Sequence, residues 1–302
     1  MEIYLPIAQM SVHWLVLLGL GGGIGFLSGL LGVGGGFLLT PLLIFAGIPP
    51  AVAVATTSSH VTASSMSGAL AQWRKGAIDL KMAAVMTLGG VAGTFAGVWL
   101  FAILRRSGQM DVTISAAYVV LLGTIGALML RESLRSLRAA RSGTPAPRRT
   151  ERGWLHGLPF KQRFAASRLY ISVIPPAAIG FAVGVLSAVL GVGGGFVVVP
   201  AMIYVLRMPA NIVMGTSLAQ IIVVTAAATV LQATNNHAVD AMLALWLVVG
   251  GVIGAQFGVR AGAKLRGEHL RLLLAVLVLG VALRLLYGLV ATPRDLFSVG
   301  GS

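Results

Sequence analysis

Long apolar runs, interrupted by glycine, proline and short charged clusters, divide most of the chain into ten pieces. They span 12–31, 34–46, 50–72, 79–104 and 111–131, then 172–190, 193–206, 209–233, 239–264 and 268–291. At least three pieces in each group of five reach the ~20 residues that a helix needs to cross a bilayer. The pieces at 34–46 and 193–206 are too short, being closed off by glycines on one side and by Pro49-Pro50 or Pro209 on the other, so each is expected as a short or re-entrant helix. The pattern predicts an all-α polytopic membrane protein.

The second group of five repeats the first. Gly25 through Pro41, with Gly32-Val33-Gly34-Gly35-Gly36-Phe37 at its centre, returns as Gly184 through Pro200 with Gly191-Val192-Gly193-Gly194-Gly195-Phe196. Further on, Pro50 matches Pro209, Thr57-Ser58 matches Thr216-Ser217, Gln72 matches Gln232, and Ala77-Ile78-Asp79 matches Ala238-Val239-Asp240. In this alignment His60 falls opposite Ala219. Two transmembrane repeats, 1–131 and 171–302, are therefore expected around a linker, 132–170. Each repeat crosses an odd number of times whether its first two pieces cross twice or enter and return together, so the two are expected to be inverted, each with a broken or re-entrant helix at the glycines.

Composition fits a lipid solvent: 57% of residues are hydrophobic and 10% are charged, against about a quarter charged in soluble chains. The first ten residues hold Glu2 and neither lysine nor arginine, unlike the basic head of a cleaved signal peptide, so the first apolar piece is expected to stay. The absence of cysteine excludes disulfides and thiolate metal sites. The net charge of +14 raises nucleic-acid binding as a possibility, but the charges are clustered: ten of the 22 basic residues lie between Arg131 and Arg168, beside Pro145, Pro147 and Pro159. This fits a cytoplasmic linker better than a nucleic-acid surface, with Trp154, Phe160 and Phe164 suited to anionic lipid. Lys75 and Lys81 beside Arg74 mark one inward loop, and Lys264, Arg266 and Arg271 another. Arg105 and Arg106 fall outside, and both termini are expected to be external.

Together, Gly32 to Phe37 with Pro41, Gly191 to Phe196 with Pro200, and Gly215-Thr216-Ser217 with Asn211 shortly before resemble the TauE/SafE sulfite exporter family, also called the toluene-sulfonate uptake permease family. The resemblance extends over most of residues 12–291, sparing the linker. The first half departs from it at Ala55-Thr56-Thr57-Ser58, which lacks the glycine found at Gly215. The resemblance implies a duplicated secondary transporter of a bacterial inner membrane that moves sulfite, sulfonates or related sulfur-containing organic anions.

The residues support that reading in their own right. A helix that starts inside the membrane after three glycines presents N–H groups without intrahelical partners, and glycine lets a ligand approach them. With the helix dipole, Gly34, Gly35 and Gly36 and their counterparts Gly193, Gly194 and Gly195 can hold an anion without a cationic side chain. Gly89, Gly90, Gly93, Gly97, Gly250, Gly251, Gly254 and Gly258 are better suited to close helix packing. Thr57, Ser58 and Ser59, together with Thr216 and Ser217, place hydroxyls at matched depth in the two halves, though such hydroxyls also bond back to carbonyls of their own helix. Gln220 lies one turn past Thr216 on the same face, and Gln256 is the other amide deep in the second half. His60 is an intramembrane titratable group, either a proton carrier or a neutral bridge between helices. Asp79 and Asp240 read as helix N-caps.

No acidic residue lies within the spans away from their ends. A proton-linked carrier or uniporter fits better than cation exchange, although backbone carbonyls at broken helices could hold sodium. No cofactor or metal set is indicated. A passive anion channel shares these features. An intramembrane enzyme fits worse, because Ser59 and His60 are adjacent on a helix and point about 100° apart.

Overall fold

The computed structural model describes residues 2–31, 34–106, 110–142, 159–167, 169–262 and 267–290. Gly32 and Val33 of the first glycine motif, the central part of the linker with Trp154, Arg168, and the loop residues Lys264 and Arg266 lie outside the described residues.

Each half has the same order of elements. A two-stranded hairpin, β1 (Glu2–Leu5) and β2 (Met10–His13), leads into α1 (Trp14–Leu31), then α2 (Gly36–Phe45), α3 (Pro50–Arg74), α4 (Leu80–Arg106) and α5 (Met110–Ser142). The second half runs β3 (Lys161–Phe164), β4 (Leu169–Ser172), α6 (Ile174–Leu190), α7 (Gly195–Tyr204), α8 (Ala210–Asn235), α9 (Ala241–Gly262) and α10 (Gly267–Val290). Among the described residues, four stretches are long and apolar enough to cross a membrane: Leu80–Arg106, Val112–Arg131, Ile212–Asn235 and Ala241–Ala261. The chain is thus an all-α polytopic membrane protein with two small hairpins added. Those strands are four residues long, below the length at which an alternating pattern stands out in sequence. Both ends of the segment read as a linker are ordered, since α5 continues to Ser142 and β3 begins at Lys161.

The most extensive helix contacts join one half to the other: α1 with α9, α4 with α6, α5 with α10, and α3 with α8. Exchanging the halves maps this set of contacts onto itself. Glycines produce the first two seams. A Cβ added at Gly25 would lie 2.2 Å from the Gly251 carbonyl oxygen, and one at Gly254 would lie 2.0 Å from that of Gly22. On the other seam, a Cβ at Gly93 would lie 2.0 Å from the Phe181 oxygen, and one at Gly184 would lie 2.0 Å from that of Gly90. These backbones touch with nothing between them, which is how membrane helices gain packing where lipid offers no hydrophobic drive. Gly90 and Gly251 also make room for side chains, as described below.

The repeat register changes along the chain. The connection before α8, 205–209, is one residue longer than its counterpart, 46–49, and the helices start after Pro209 and Pro49. Pro49, not Pro50, is therefore the counterpart of Pro209. Thr56 corresponds to Thr216, and His60 corresponds to Gln220 instead of Ala219.

Two aspartates tie the halves at matching places. Asp79 caps α4, its Oδ1 accepting the Met82 N–H at 3.1 Å, while its Oδ2 accepts from Ser167 N and Oγ in the turn between β3 and β4. Asp240 caps α9, its Oδ1 accepting from Met242 and Leu243, while its Oδ2 accepts from Ile7 and Ala8 in the turn between β1 and β2. The backbone N–H of each aspartate donates to the corresponding threonine across the molecule, Asp79 to Thr216 and Asp240 to Thr56. Leu5 and Phe164 bury the two hairpins in the core.

Two predictions follow from this packing. Gly93→Ala and Gly254→Ala should lower the yield of monodisperse detergent-solubilised protein several-fold, whereas Gly19→Ala and Gly123→Ala, where an added Cβ meets nothing within 4 Å, should fold normally; gel filtration reads both. Asp240→Ala removes an acceptor from four N–H groups and should cost about 1–3 kcal/mol, visible as a lower thermal unfolding midpoint.

Candidate functional site

Both glycine breaks are buried and meet at the centre of the molecule. Gly35 and Gly194, the N-cap residues of α2 and α7, have φ of 69° and 75°, a left-handed conformation that glycine adopts without a Cβ clash. A Cβ on Gly36 would lie 2.6 Å from the Gly191 oxygen and 2.6 Å from Val61 Cγ2; one on Gly193 would lie 2.4 Å from Val61 Cγ1. The first break thus lies directly against the second. Val61 touches both, and Ile221, its counterpart on α8, approaches Gly34. Just beyond the breaks, the rings of Phe37 and Phe196 stack with centroids 4.5 Å apart. One turn further, Pro41 and Pro200 leave the carbonyls of Phe37 and Phe196 without their usual helical donors.

Several carbonyls near the second break are satisfied. Gly191 N–H donates to Ser187, Gln232 Nε2 donates to Ala188 at 2.9 Å, and Tyr118 on α5 donates its hydroxyl hydrogen to Leu190. The N–H groups on the other side of the break are not. Among the described residues nothing accepts from Gly193, Gly194 or Gly195, nor from Gly34 or Gly35, although all five are buried. A buried N–H without an acceptor costs free energy comparable to a lost hydrogen bond.

Unpartnered side-chain atoms lie around the same region. Ser65 Oγ faces Gly34, and Ser28 packs beside Gly35. Thr57 Oγ1, Ser187 Oγ and both polar atoms of Gln220 also have no partner. Gln220 sits against Gly90 of α4, with its Nε2 3.5 Å from where a Cβ on that glycine would be. The matching seat on α9 holds His60: its ring fills the space left by Gly251, and its Nδ1 lies 2.8 Å from the Leu247 carbonyl oxygen. A carbonyl only accepts, so Nδ1 carries a proton, and Nε2 is left without a partner.

The structure thus brings Gly34, Gly36 and Gly193 against Val61, buries Gly35, Gly194 and Gly195 beside them, Gly35 against Ile24 and Ser28 and Gly194 against Val183, and places Thr57, His60 and Gln220 on the two central helices. The other hydroxyls expected there are engaged: Ser58 with Val54, Ser59 with Thr56, Thr216 with Ile212 and Ser217 with Met214, each bonding back along its own helix. Gln256 is exposed. Sequence reasoning passed over Ser65, Tyr118 and Val61. Ser65 carries a readable signal, since it lies on the helical face of Val61 one turn on; the other two become visible only once the halves interlock.

The family model described as "Sulfite exporter TauE/SafE" matches residues 17–285. The chain is 29% identical over 280 residues to "Probable membrane transporter protein YjnA" of Bacillus subtilis (strain 168), covering 92% of this chain and 100% of that protein. It is 27% identical over 277 residues to a "Probable membrane transporter protein" of Xylella fastidiosa (strain 9a5c), covering 90% and 95%. A shorter stretch of 45 residues is 56% identical to "Sulfite exporter TauE/SafE family protein 6" of Arabidopsis thaliana, covering 15% of this chain and 10% of that one. No solved structure matches the chain.

Proposed function

The chain belongs to the TauE/SafE sulfite exporter family and is an integral membrane transporter, and from that premise we propose that it carries sulfite, a sulfonate or a related sulfur-containing organic anion by alternating access. The observation that carries this reading is the set of buried N–H groups at Gly34, Gly35, Gly193, Gly194 and Gly195 that find no acceptor among the described residues. These are hydrogen-bond donors at two helix N-termini, and among the described residues no cationic side chain packs against them. An oxyanion supplies several acceptor oxygens at once, and a helix N-terminus favours its charge. Ser65, Thr57 and the Gln220 amide add further donors.

In the conformation described, Val61 packs against both breaks. Admitting an anion therefore requires Val61 to withdraw, and α3 carries it. The two halves are inverted in the membrane, with the linker cytoplasmic, the termini external and the chain in a bacterial inner membrane. This places the breaks near mid-depth, where either side can reach them in turn. Proton coupling falls to His60. Among the described residues the buried groups able to ionise are His60, Asp79, Asp240 and Tyr118; both aspartates accept several N–H bonds and Tyr118 is engaged with Leu190, whereas His60 has a free nitrogen.

Proteoliposomes should show saturable uptake of at least one of sulfite, taurine, sulfoacetate, sulfolactate or thiosulfate; flux rising linearly with concentration for every compound would favour a channel. Gln220→Met removes a buried amide without partners, so it should raise the unfolding midpoint by the equivalent of about 1–3 kcal/mol while raising KM several-fold. An unchanged KM would remove Gln220 from the site. His60→Gln puts at this seat the residue its counterpart already carries. Transport should then continue with its pH dependence lost, and a pH profile identical to the parent protein's would leave His60 as a bridge between helices only.

A further inference from the structure

Away from the glycine breaks, a cavity of about 590 Å³ opens between the C-terminal ends of α4 and α8. Phe95, Val98, Trp99, Ala102 and Leu231 line its length, and Arg105, Arg106, Asn235 and Asn236 close one end. Phe95 is 59% and Trp99 69% exposed, so their apolar faces are turned outward on a helix read as spanning the membrane. Arg105 donates to the Asn236 carbonyl, which fixes it at the mouth; Arg106 makes no hydrogen bond among the described residues and is exposed. Among the described residues no acidic side chain lines the cavity.

The dimensions match one kind of occupant. From Phe95 to Arg106 a helix rises about 16 Å, close to half of the ~30 Å hydrocarbon core and so about one leaflet deep. An apolar trough of that depth, capped by two guanidinium groups and two amides, fits one phospholipid standing upright, with its acyl chain along Phe95, Trp99 and Leu231 and its phosphate at the arginines. A small free anion would use only the capped end. We propose that this groove is a binding site for an anionic phospholipid of the leaflet it faces. Two positive charges with no acidic partner among the described residues select against zwitterionic lipids, and the planar guanidinium of Arg106 suits phosphate oxygens.

The test uses the full chain, delipidated in detergent and observed by native mass spectrometry with added phosphatidylglycerol, with phosphatidylcholine of the same acyl chains, or with glycerol 3-phosphate. Phosphatidylglycerol should be retained in preference to phosphatidylcholine. Arg106→Gln should cut that preference roughly fivefold, about the worth of one basic residue at a lipid surface, and Arg106→Lys should restore most of it. Trp99→Ala should weaken both lipids equally. Equal retention of the two lipids by the parent protein would overturn the proposal, as would an unchanged preference in Arg106→Gln. Displacement of phosphatidylglycerol by equimolar glycerol 3-phosphate would show that the charge alone is read, and would overturn the assignment to a lipid.

Discussion

Backbone-to-backbone contact along two glycine seams holds this molecule together. Lipid solvates leucine as well as another protein surface does, so apolar burial alone cannot choose which helices pair; close approach of main chains can. Where α1 meets α9 and α4 meets α6, the carbonyl of one helix lies where a side chain of the other would have been. Everything at the centre follows from those two seams. They fix α3 and α8 between them, and with those helices the position of Val61 and Ile221 against the breaks. They also fix the aspartate caps, whose second oxygens reach the hairpin turns.

Much of this was legible in the sequence, and the reasons are physical. Helix existence followed from the length of apolar runs, because only a satisfied backbone survives in hydrocarbon. The breaks were legible because three successive glycines cannot be explained by one packing face. What the sequence hid was partnership. Nothing in Gly21, Gly25 or Gly29 says that their mates lie in the other half, and without that fact the roles of Tyr118 and Val61 are invisible. The register slip between the halves was hidden for a smaller reason. Pro49 and Pro50 stand together, and either aligns with Pro209 on paper; the helix start selects Pro49.

That slip changes the reading of the central pair. Aligned by sequence, His60 has an apolar counterpart and looks like a lone intruder. Aligned by structure, it and Gln220 occupy equivalent seats, each against a glycine of the neighbouring helix, Gly251 and Gly90. The two differ in one respect: His60 is anchored to Leu247, whereas neither end of the Gln220 amide has a partner. A nearly symmetric frame therefore carries an asymmetric pair at its core.

The interlocked seams also bear on how the chain can fold. A single half, folded by itself, would expose the glycine faces of its first and fourth helices with no main chain to fill them. Neither half is therefore a self-sufficient unit: each supplies the surface that closes the other, and the centre exists only once both are in place.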